Sequence, residues 1–173
     1  YQAAIGLVQL KRLEAQTAQR NANAAYLREK IIGIPGIIPY KLYDNVTKAA
    51  FHLFAFRYKK EAFNNLPRAE FIKAMKAEGI PCMEGYSPLN KMPYLANTFK
   101  SKNYKKMYSA KDLDINAYNA RNECPLNDRL CQEEAVWIFH SILLAEQQEM
   151  NDISNALEKV HANADAIKKS VKS

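Results

Sequence analysis

Histidines are the clearest candidates for acid–base chemistry in this sequence, which holds three of them: His52, His140 and His161. Imidazole is the side chain that most often transfers protons in enzymes. His52 lies inside an apolar run, where a packed, hydrogen-bonded strand histidine is the favoured interpretation. His140 follows a second apolar run, and a strand end suits a functional role and a structural one equally well. His161 falls on a helix, where we expect it to be exposed, and no Cys or Ser near these histidines has the signature of a nucleophile pair.

Residues 84–91 have the mixture of side chains expected of a binding loop. Tyr86 and Asn90 supply hydrogen-bonding groups beside Gly85 and Pro88, directly after a predicted strand. A turn without a functional role explains the same residues equally well. The five glycines of the chain are dispersed, so none of them forms a phosphate-cradling loop.

The acids and thiols indicate neither a catalytic pair nor a metal site. Glu133 and Glu134 are adjacent near a predicted helix end, so their side chains should diverge. The cysteines are Cys82, Cys124 and Cys131, an odd number without metal-ligand spacing. They are predicted to be free, buried structural thiols in a reducing cytoplasm.

The net charge of +7 and the pI of about 9.2 raise the question of a nucleic-acid partner. The densest basic cluster is the tyrosine- and lysine-rich segment 100–106, whereas elsewhere Lys and Arg alternate with Asp and Glu. A solvated surface is the favoured interpretation of the cluster, with phosphate or anion binding as the open alternative. We therefore expect no nucleic-acid partner, and no membrane span because the apolar runs are short and interrupted by charges.

Hydrophobic periodicity predicts an α+β domain, a two-layer α/β sandwich with helices mainly on one side of a small sheet. Predicted helices cover 1–32, the segment from Pro67 to Gly79, 125–133, and a final stretch from Glu146. The second has an inner apolar stripe at Phe71, Ile72 and Met75, and the last has one at Ile153, Leu157, Val160, Ala164, Ile167 and Val171. Predicted strands cover 49–58, 80–83 and 135–139, while 37–46 is a connector and 100–123 a surface excursion without regular structure. Strand direction stays open.

The first helix indicates a missing neighbour. Its apolar face is narrow and rich in alanine, and no other part of this chain is an obvious partner for it. The sequence also opens on Tyr1 rather than Met, so we expect it to be a piece of a longer protein.

Several segments, in order and with natural spacing, resemble the C-terminal part of the DegT/DnrJ/StrS family of sugar aminotransferases. They are residues 1–13, 21–30, 34–37, 51–54, 68–72, 77–82, 124–129 and 134–144. Residues 1–13 are similar to the family's FQAALGLAQLERL helix. The last two segments are similar to the branch that contains glutamine:scyllo-inosose aminotransferases and 3-amino-5-hydroxybenzoate synthase.

The resemblance implies a fold type I homodimer, dependent on pyridoxal phosphate (PLP), that transfers an amino group from glutamate or glutamine to a keto-sugar or keto-cyclitol. Residues 37–173 would be its small C-terminal domain, and 1–36 a long helix that links to a large PLP-binding domain outside this sequence. In the family the Schiff-base lysine belongs to that large domain, and no lysine here matches its motif. We therefore assign no catalytic, cofactor-binding or metal-binding residue, and expect no cofactor in this chain and no activity from it alone.

The resemblance also implies positions on the substrate side. Tyr86 and Asn90 lie in the loop that follows the predicted strand 80–83. In the family this loop faces the substrate, and Tyr86 is the leading candidate for a substrate contact. His140 matches a histidine of the inosose-like branch, and His52 matches a position that is structural or adjacent to the substrate. The alternative function is a free-standing, non-catalytic binding or interaction domain derived from such an enzyme.

Overall fold

The computed structural model describes residues 1–170, and the chain forms two compact units. The first unit consists of Tyr1–Glu84 together with the residues from Glu134 onward, and the second is Gly85–Glu133. No helix within residues 1–170 combines the length and the apolar character needed to cross a bilayer.

A four-stranded antiparallel sheet, in the order β1-β2-β4-β3, is the framework of the first unit. Its strands are β1 (Ile37–Pro39), β2 (Leu53–Tyr58), β3 (Cys82–Glu84) and β4 (Ala135–Phe139). The antiparallel pairing settles the strand direction, which periodicity had left open. The prediction missed β1 and called it a connector, because three residues ending in proline are too short to show a period.

Strand β2 shows the alternation of a strand with one buried face. Phe54, Phe56 and Tyr58 are buried, whereas the residues between them are half-buried. The predicted strand over 49–58 is therefore too long, and its burial on both faces is wrong. Residues 49–52 lie outside the sheet because Phe51 has a φ of 44°, which interrupts the extended backbone.

Helices cover the buried face of the sheet in the first unit. They are α1 (Gln2–Ile31), α2 (Arg68–Ala77), α7 (Gln147–Ala162) and α8 (Ala164–Ser170). Helix α2 buries Phe71, Ile72 and Met75, its predicted stripe. The final helix was predicted as one piece, but it breaks at Asn163, and Val171 of its predicted stripe lies outside the described residues. These layers confirm the predicted α+β class.

Helix α1 is buried only along one face of its C-terminal half. The buried positions are Thr17, Asn23, Ala24, Leu27 and Ile31. The alanine-rich apolar stripe is exposed, as expected of a face without a partner in this chain; it consists of Ala4, Leu7, Val8, Leu10, Leu13, Ala18, Ala22 and Ala25. After the helix, Gly36 adopts a φ of 82°, and a Cβ there would stand 2.6 Å from the Cβ of Ala62, so this turn requires glycine.

Short helices build the second unit: α3 (Pro93–Lys100), α4 (Lys102–Met107), α5 (Ile115–Arg121) and α6 (Pro125–Arg129). Two of them lie in the segment 100–123, where the prediction of no regular structure is wrong. Helices of six and seven residues are too short to show a period, but each has a side-chain cap. Ser101 accepts a hydrogen bond from the Tyr104 N–H, and Asp114 accepts from the N–H groups of Asn116 and Ala117.

Two further predictions about buried side chains are wrong. Cys82 is buried as expected, but Cys124 is exposed and Cys131 half-buried. Cys124 is the N-cap residue of α6, which buries no residue, and Cys131 lies in the π-helical turn Leu130–Glu134 that follows. His161 is half-buried rather than exposed, and its ring packs edge-on against Phe63 with the centroids 4.8 Å apart. All three cysteines are free thiols, as predicted.

Candidate functional site

The structure places two of the predicted site histidines side by side at one end of the sheet. Leu53 of β2 pairs with Phe139 of β4, so His52 and His140 are the next residues beyond the end of this antiparallel ladder. The rings lie 6.1 Å apart between centroids, at an interplanar angle of 28°. Nδ1 of His140 is 3.2 Å from the His52 carbonyl oxygen, although the two residues are 88 positions apart in the chain.

This hydrogen bond determines how His140 can act. A carbonyl oxygen only accepts, so Nδ1 of His140 must carry the proton that it donates. In the neutral ring, Nε2 is then the acceptor. His140 is half-buried and His52 is exposed, so the interpretation of His52 as a packed strand histidine is wrong.

A strained residue directly precedes His52. Phe51 is a bulky residue with a φ of 44°, in the left-handed region, a conformation that costs about 1–3 kcal/mol. Its ring packs edge-on against Tyr40 with the centroids 5.1 Å apart, and Tyr40 packs in the same way against Phe54 at 5.4 Å. These contacts hold the turn that precedes His52.

Amide side chains on helix α1 hold both segments that carry the histidines. Asn21 donates from Nδ2 to the Ala49 carbonyl at 2.7 Å and accepts from the Ala49 N–H at 3.2 Å, three residues before His52. Asn23 donates from Nδ2 to the carbonyls of Leu143 at 2.9 Å and Ala145 at 2.8 Å, at the end of the short 3-10 helix His140–Leu144. Gln19 adds a bond of 2.7 Å to the Leu144 carbonyl.

A buried carboxylate anchors the opposite end of β4. Glu134 is 5% exposed and precedes the first residue of the strand. Its Oε2 accepts from Nη2 and Nε of Arg57 at 2.7 and 2.8 Å, and its Oε1 accepts from Nζ of Lys59. Burial acts to raise the pKa of Glu134, but the hydrogen bonds from Lys59 and Arg57 outweigh it and lower the pKa. The register of β4, and with it the position of His140, is thus held at both ends.

The other two predicted site residues belong to the second unit. Tyr86 is 62% exposed. Asn90 is half-buried in the 3-10 turn Leu89–Lys91, where its Nδ2 donates to the Asn122 carbonyl at 2.7 Å. This bond ties the loop to the end of α5 and gives Asn90 a structural role. Within the same unit, Nζ of Lys91 pairs with Oδ2 of Asp128 at 2.6 Å.

Comparison with known proteins assigns the chain to a family. The model of the DegT/DnrJ/EryC1/StrS aminotransferase family matches residues 1–158. The chain belongs to this family. This confirms the resemblance carried by the sequence segments.

Two relatives of the DegT/DnrJ/EryC1/StrS family from Micromonospora echinospora are each 31% identical to the chain. One is named L-glutamine:2-deoxy-scyllo-inosose aminotransferase, and the match covers 94% of this chain and 37% of that protein. The other carries the provisional name L-glutamine:3-amino-2,3-dideoxy-scyllo-inosose aminotransferase, with 98% and 40% covered. The chain thus spans about 40% of the length of the relatives it matches.

Solved structures show the same fold. The crystal structure of 3-amino-5-hydroxybenzoic acid synthase superposes with a TM-score of 0.63 at 22% identity, over 90% of this chain and 36% of that one. The aminotransferase TlmJ from Streptoalloteichus hindustanus gives a TM-score of 0.60 at 16% identity, over 95% and 36%. Both superpositions confirm that the chain has the fold of one part of a fold type I aminotransferase.

Sequence reasoning missed the residues that position the histidines. Gln19, Asn21 and Asn23 lie on one stretch of α1. Asparagine has a low helix propensity, so Asn21 and Asn23 inside a long helix were the available signal, because such residues often bond outside the helix. The strain at Phe51 left no signal in the sequence.

Proposed function

We propose that this chain is the small, substrate-facing part of a PLP-dependent aminotransferase that transfers an amino group from glutamine to a keto-cyclitol. The observation that carries the proposal is the family match over residues 1–158. It is supported by relatives whose names specify L-glutamine and a scyllo-inosose. A keto-sugar as acceptor and glutamate as donor are the nearest variants of this reaction.

The proposal includes the domain arrangement and the assembly. Residues 1–36 would join residues 37–173 to a large domain that holds the cofactor, since the chain spans about 40% of its relatives. The exposed apolar residues of the first half of α1, such as Leu7 and Leu10, support a partner surface there. In the intact protein that partner would be the large domain, and the enzyme would form a homodimer.

The residues of this chain do not fit the cofactor itself. When bound, PLP acts as the electron sink for the substrate carbon that gains or loses the amino group. The chain has no glycine-rich phosphate loop, and none of its lysines matches the family's Schiff-base motif. We propose that the lysine lies outside these residues and that the chain alone is inactive.

The histidine pair would bind and orient the substrate. With Nδ1 of His140 donating to the His52 carbonyl, Nε2 of His140 is an acceptor suited to a cyclitol hydroxyl. Exposed His52 supplies a further hydrogen-bonding group of the kind that a polyhydroxylated ring requires. Tyr86, which is exposed in the second unit, stays a substrate-side prediction of the resemblance, whereas Asn90 supports its own loop through Asn122.

The test uses the intact protein that contains these residues, loaded with PLP and supplied with L-glutamine. We expect it to aminate 2-deoxy-scyllo-inosose, detected as the aminocyclitol by mass spectrometry. His140→Gln should lower kcat/KM for the cyclitol roughly 10–100-fold, because one substrate hydrogen bond is lost. His161→Gln on α7, which packs on Phe63, is the matched control and should change kcat/KM less than twofold.

Two results would refute parts of this proposal separately. Amination of a nucleotide-linked keto-sugar without any of a cyclitol would exclude the substrate class, and equal kinetics of the two histidine variants would exclude the site. For the chain alone, one equivalent of PLP followed by borohydride should label exposed lysines only weakly and without preference in a peptide map. Stoichiometric labelling of a single lysine of this chain, lost when the chain is unfolded, would contradict the placement of the cofactor.

A further inference from the structure

The second unit contains a cavity that the proposed function does not use. Its volume is about 390 Å³. Its walls are mostly apolar and aromatic, and two lysines line it. The lining residues are Ala96, Phe99, Lys100, Lys105, Tyr108, Ala110, Leu113 and Ile115. An apolar cavity with a few convergent charged groups is the common form of a small-molecule site.

Positive charge predominates around this cavity. The segment 100–115 that borders it carries five lysines, at positions 100, 102, 105, 106 and 111, against two acids, which leaves a net charge of +3. The acids bind neutral donors: Asp112 accepts from the N–H and O–H of Ser109, and Asp114 caps α5. Within the described residues 1–170, none of the five lysines forms a salt bridge. The cavity is therefore electrostatically suited to an anion.

Aromatic contacts hold the walls of the cavity in place. Phe99 packs edge-on against Tyr118 with the centroids 5.1 Å apart, and it stacks on Tyr104 at 6.4 Å. Tyr104 in turn contacts Tyr108 at 5.4 Å. Phe99 and Tyr108 therefore present rings to the cavity, and such rings favour a flat ligand ring at stacking or edge-on distance.

We propose that this cavity binds a small organic anion in which a flat ring carries a phosphate or carboxylate group. The ring would lie against Phe99 and Tyr108, and the anionic group would lie between the ammonium groups of Lys100 and Lys105. The proposal is independent of the aminotransferase function, since none of its residues belongs to the histidine site.

The placement of the lysines favours this ligand over a nucleic-acid strand. A strand that follows a basic surface would use the whole cluster, including Lys102 and Lys106. These two residues belong to the same short helix as Lys105 but do not line the cavity. A bare anion would leave the apolar walls unused. Cavity shape and charge together therefore indicate a compact, ring-bearing anion.

The binding experiment is an amide NMR titration of the 173-residue chain with four probes. Uridine monophosphate joins a ring to a phosphate and 3-hydroxybenzoate joins one to a carboxylate, while uridine lacks the charge and inorganic phosphate lacks the ring. We expect at least one ring-bearing anion to shift the amides of Lys100, Lys105, Leu113 and Ile115. It should bind roughly tenfold more tightly than uridine or inorganic phosphate, because charge and ring contacts act together.

Two double variants with the same change in net charge separate the cavity from general electrostatics. Lys100→Gln with Lys105→Gln should weaken binding roughly tenfold, because two cation contacts are lost. Lys102→Gln with Lys106→Gln should weaken it less than twofold. Equal weakening by both pairs would overturn the proposal, as would tighter binding of a single-stranded oligonucleotide than of either ring anion. The absence of cavity shifts with both ring anions at millimolar concentration would also overturn it.

Discussion

The strongest test of how the histidine site is held in place is the substitution Asn23→Ala. Asn23 is 8% exposed and lies in the packed half of α1. Its Nδ2 group donates to two carbonyls, those of Leu143 at 2.9 Å and Ala145 at 2.8 Å. Because these carbonyls end the 3-10 helix that begins at His140, the substitution acts on the site from a distance of more than a hundred residues in sequence.

The expected loss in the free energy of unfolding follows from the two hydrogen bonds of Asn23. Each contributes about 1 kcal/mol net, so their loss should lower the free energy of unfolding by about 2 kcal/mol. Alanine favours a helix over asparagine by roughly 0.6 kcal/mol, which offsets part of this loss in the measured value. The control is Asn155→Ala on α7, an exposed helical asparagine that gains the same propensity without losing a buried contact.

Urea unfolding followed by circular dichroism measures both variants. Asn23→Ala should be less stable than Asn155→Ala by about 2 kcal/mol, which corresponds to a Tm lower by about 4–8 °C for a chain of this size. Asn23→Asp should be less stable still, because a carboxylate would face two carbonyl oxygens. If the two alanine variants unfold at the same urea concentration, α1 does not hold the His140 segment and the reasoning is wrong.

Three further predictions concern other parts of the chain. Glu134→Gln should lower the free energy of unfolding by about 1–3 kcal/mol at pH 7, the range between exposed and buried ion pairs. The folded-state pKa of Glu134 lies below its ordinary value of 4.5. The difference in the free energy of unfolding between the two chains should therefore shrink as the pH falls below 4.5. A difference that stays constant in urea unfolding down to pH 3 would contradict this. Cys124 should react at once with Ellman's reagent, whereas burial raises the pKa of Cys82 to about 11 and should delay its reaction until the chain unfolds. Prompt reaction of a Cys124→Ser/Cys131→Ser double variant, in which Cys82 is the remaining thiol, would contradict this. The chain should self-associate through the exposed first half of α1, and Leu10→Asp should give a monomeric mass in light scattering. A monomeric mass for the unsubstituted chain at high concentration would exclude this surface.

Much of the local structure could be predicted from the sequence. The predicted first helix differs from α1 by one residue at each end, and β4 matches its predicted range of 135–139. The inner stripe of α2 was also correct, because apolar spacing reports which face of a long element is buried. The ordered set of resembling segments also predicts the family, and the family match over residues 1–158 confirms it.

Elements too short to show a period could not be found in this way. Strand β1 has three residues, and α4 and α5 have six and seven. Their stability comes from a neighbouring strand or from a cap at Ser101 or Asp114, rather than from an amphipathic pattern. Serine and aspartate are common in loops, so one capping residue is only a weak sequence signal for a short helix.

Sequence alone determined the class of the fold, the main helices and strands, and the family, because all of these depend on local periodicity or on ordered segments along the chain. Tertiary structure alone decided that His52 and His140 lie together, since their contact requires β2 and β4 to pair antiparallel in one register. It also decided which face of α1 is buried: the alanine stripe is exposed, and Asn23 reaches the carbonyls behind His140 instead. Such contacts join residues far apart in the chain, and no local pattern of residues specifies them.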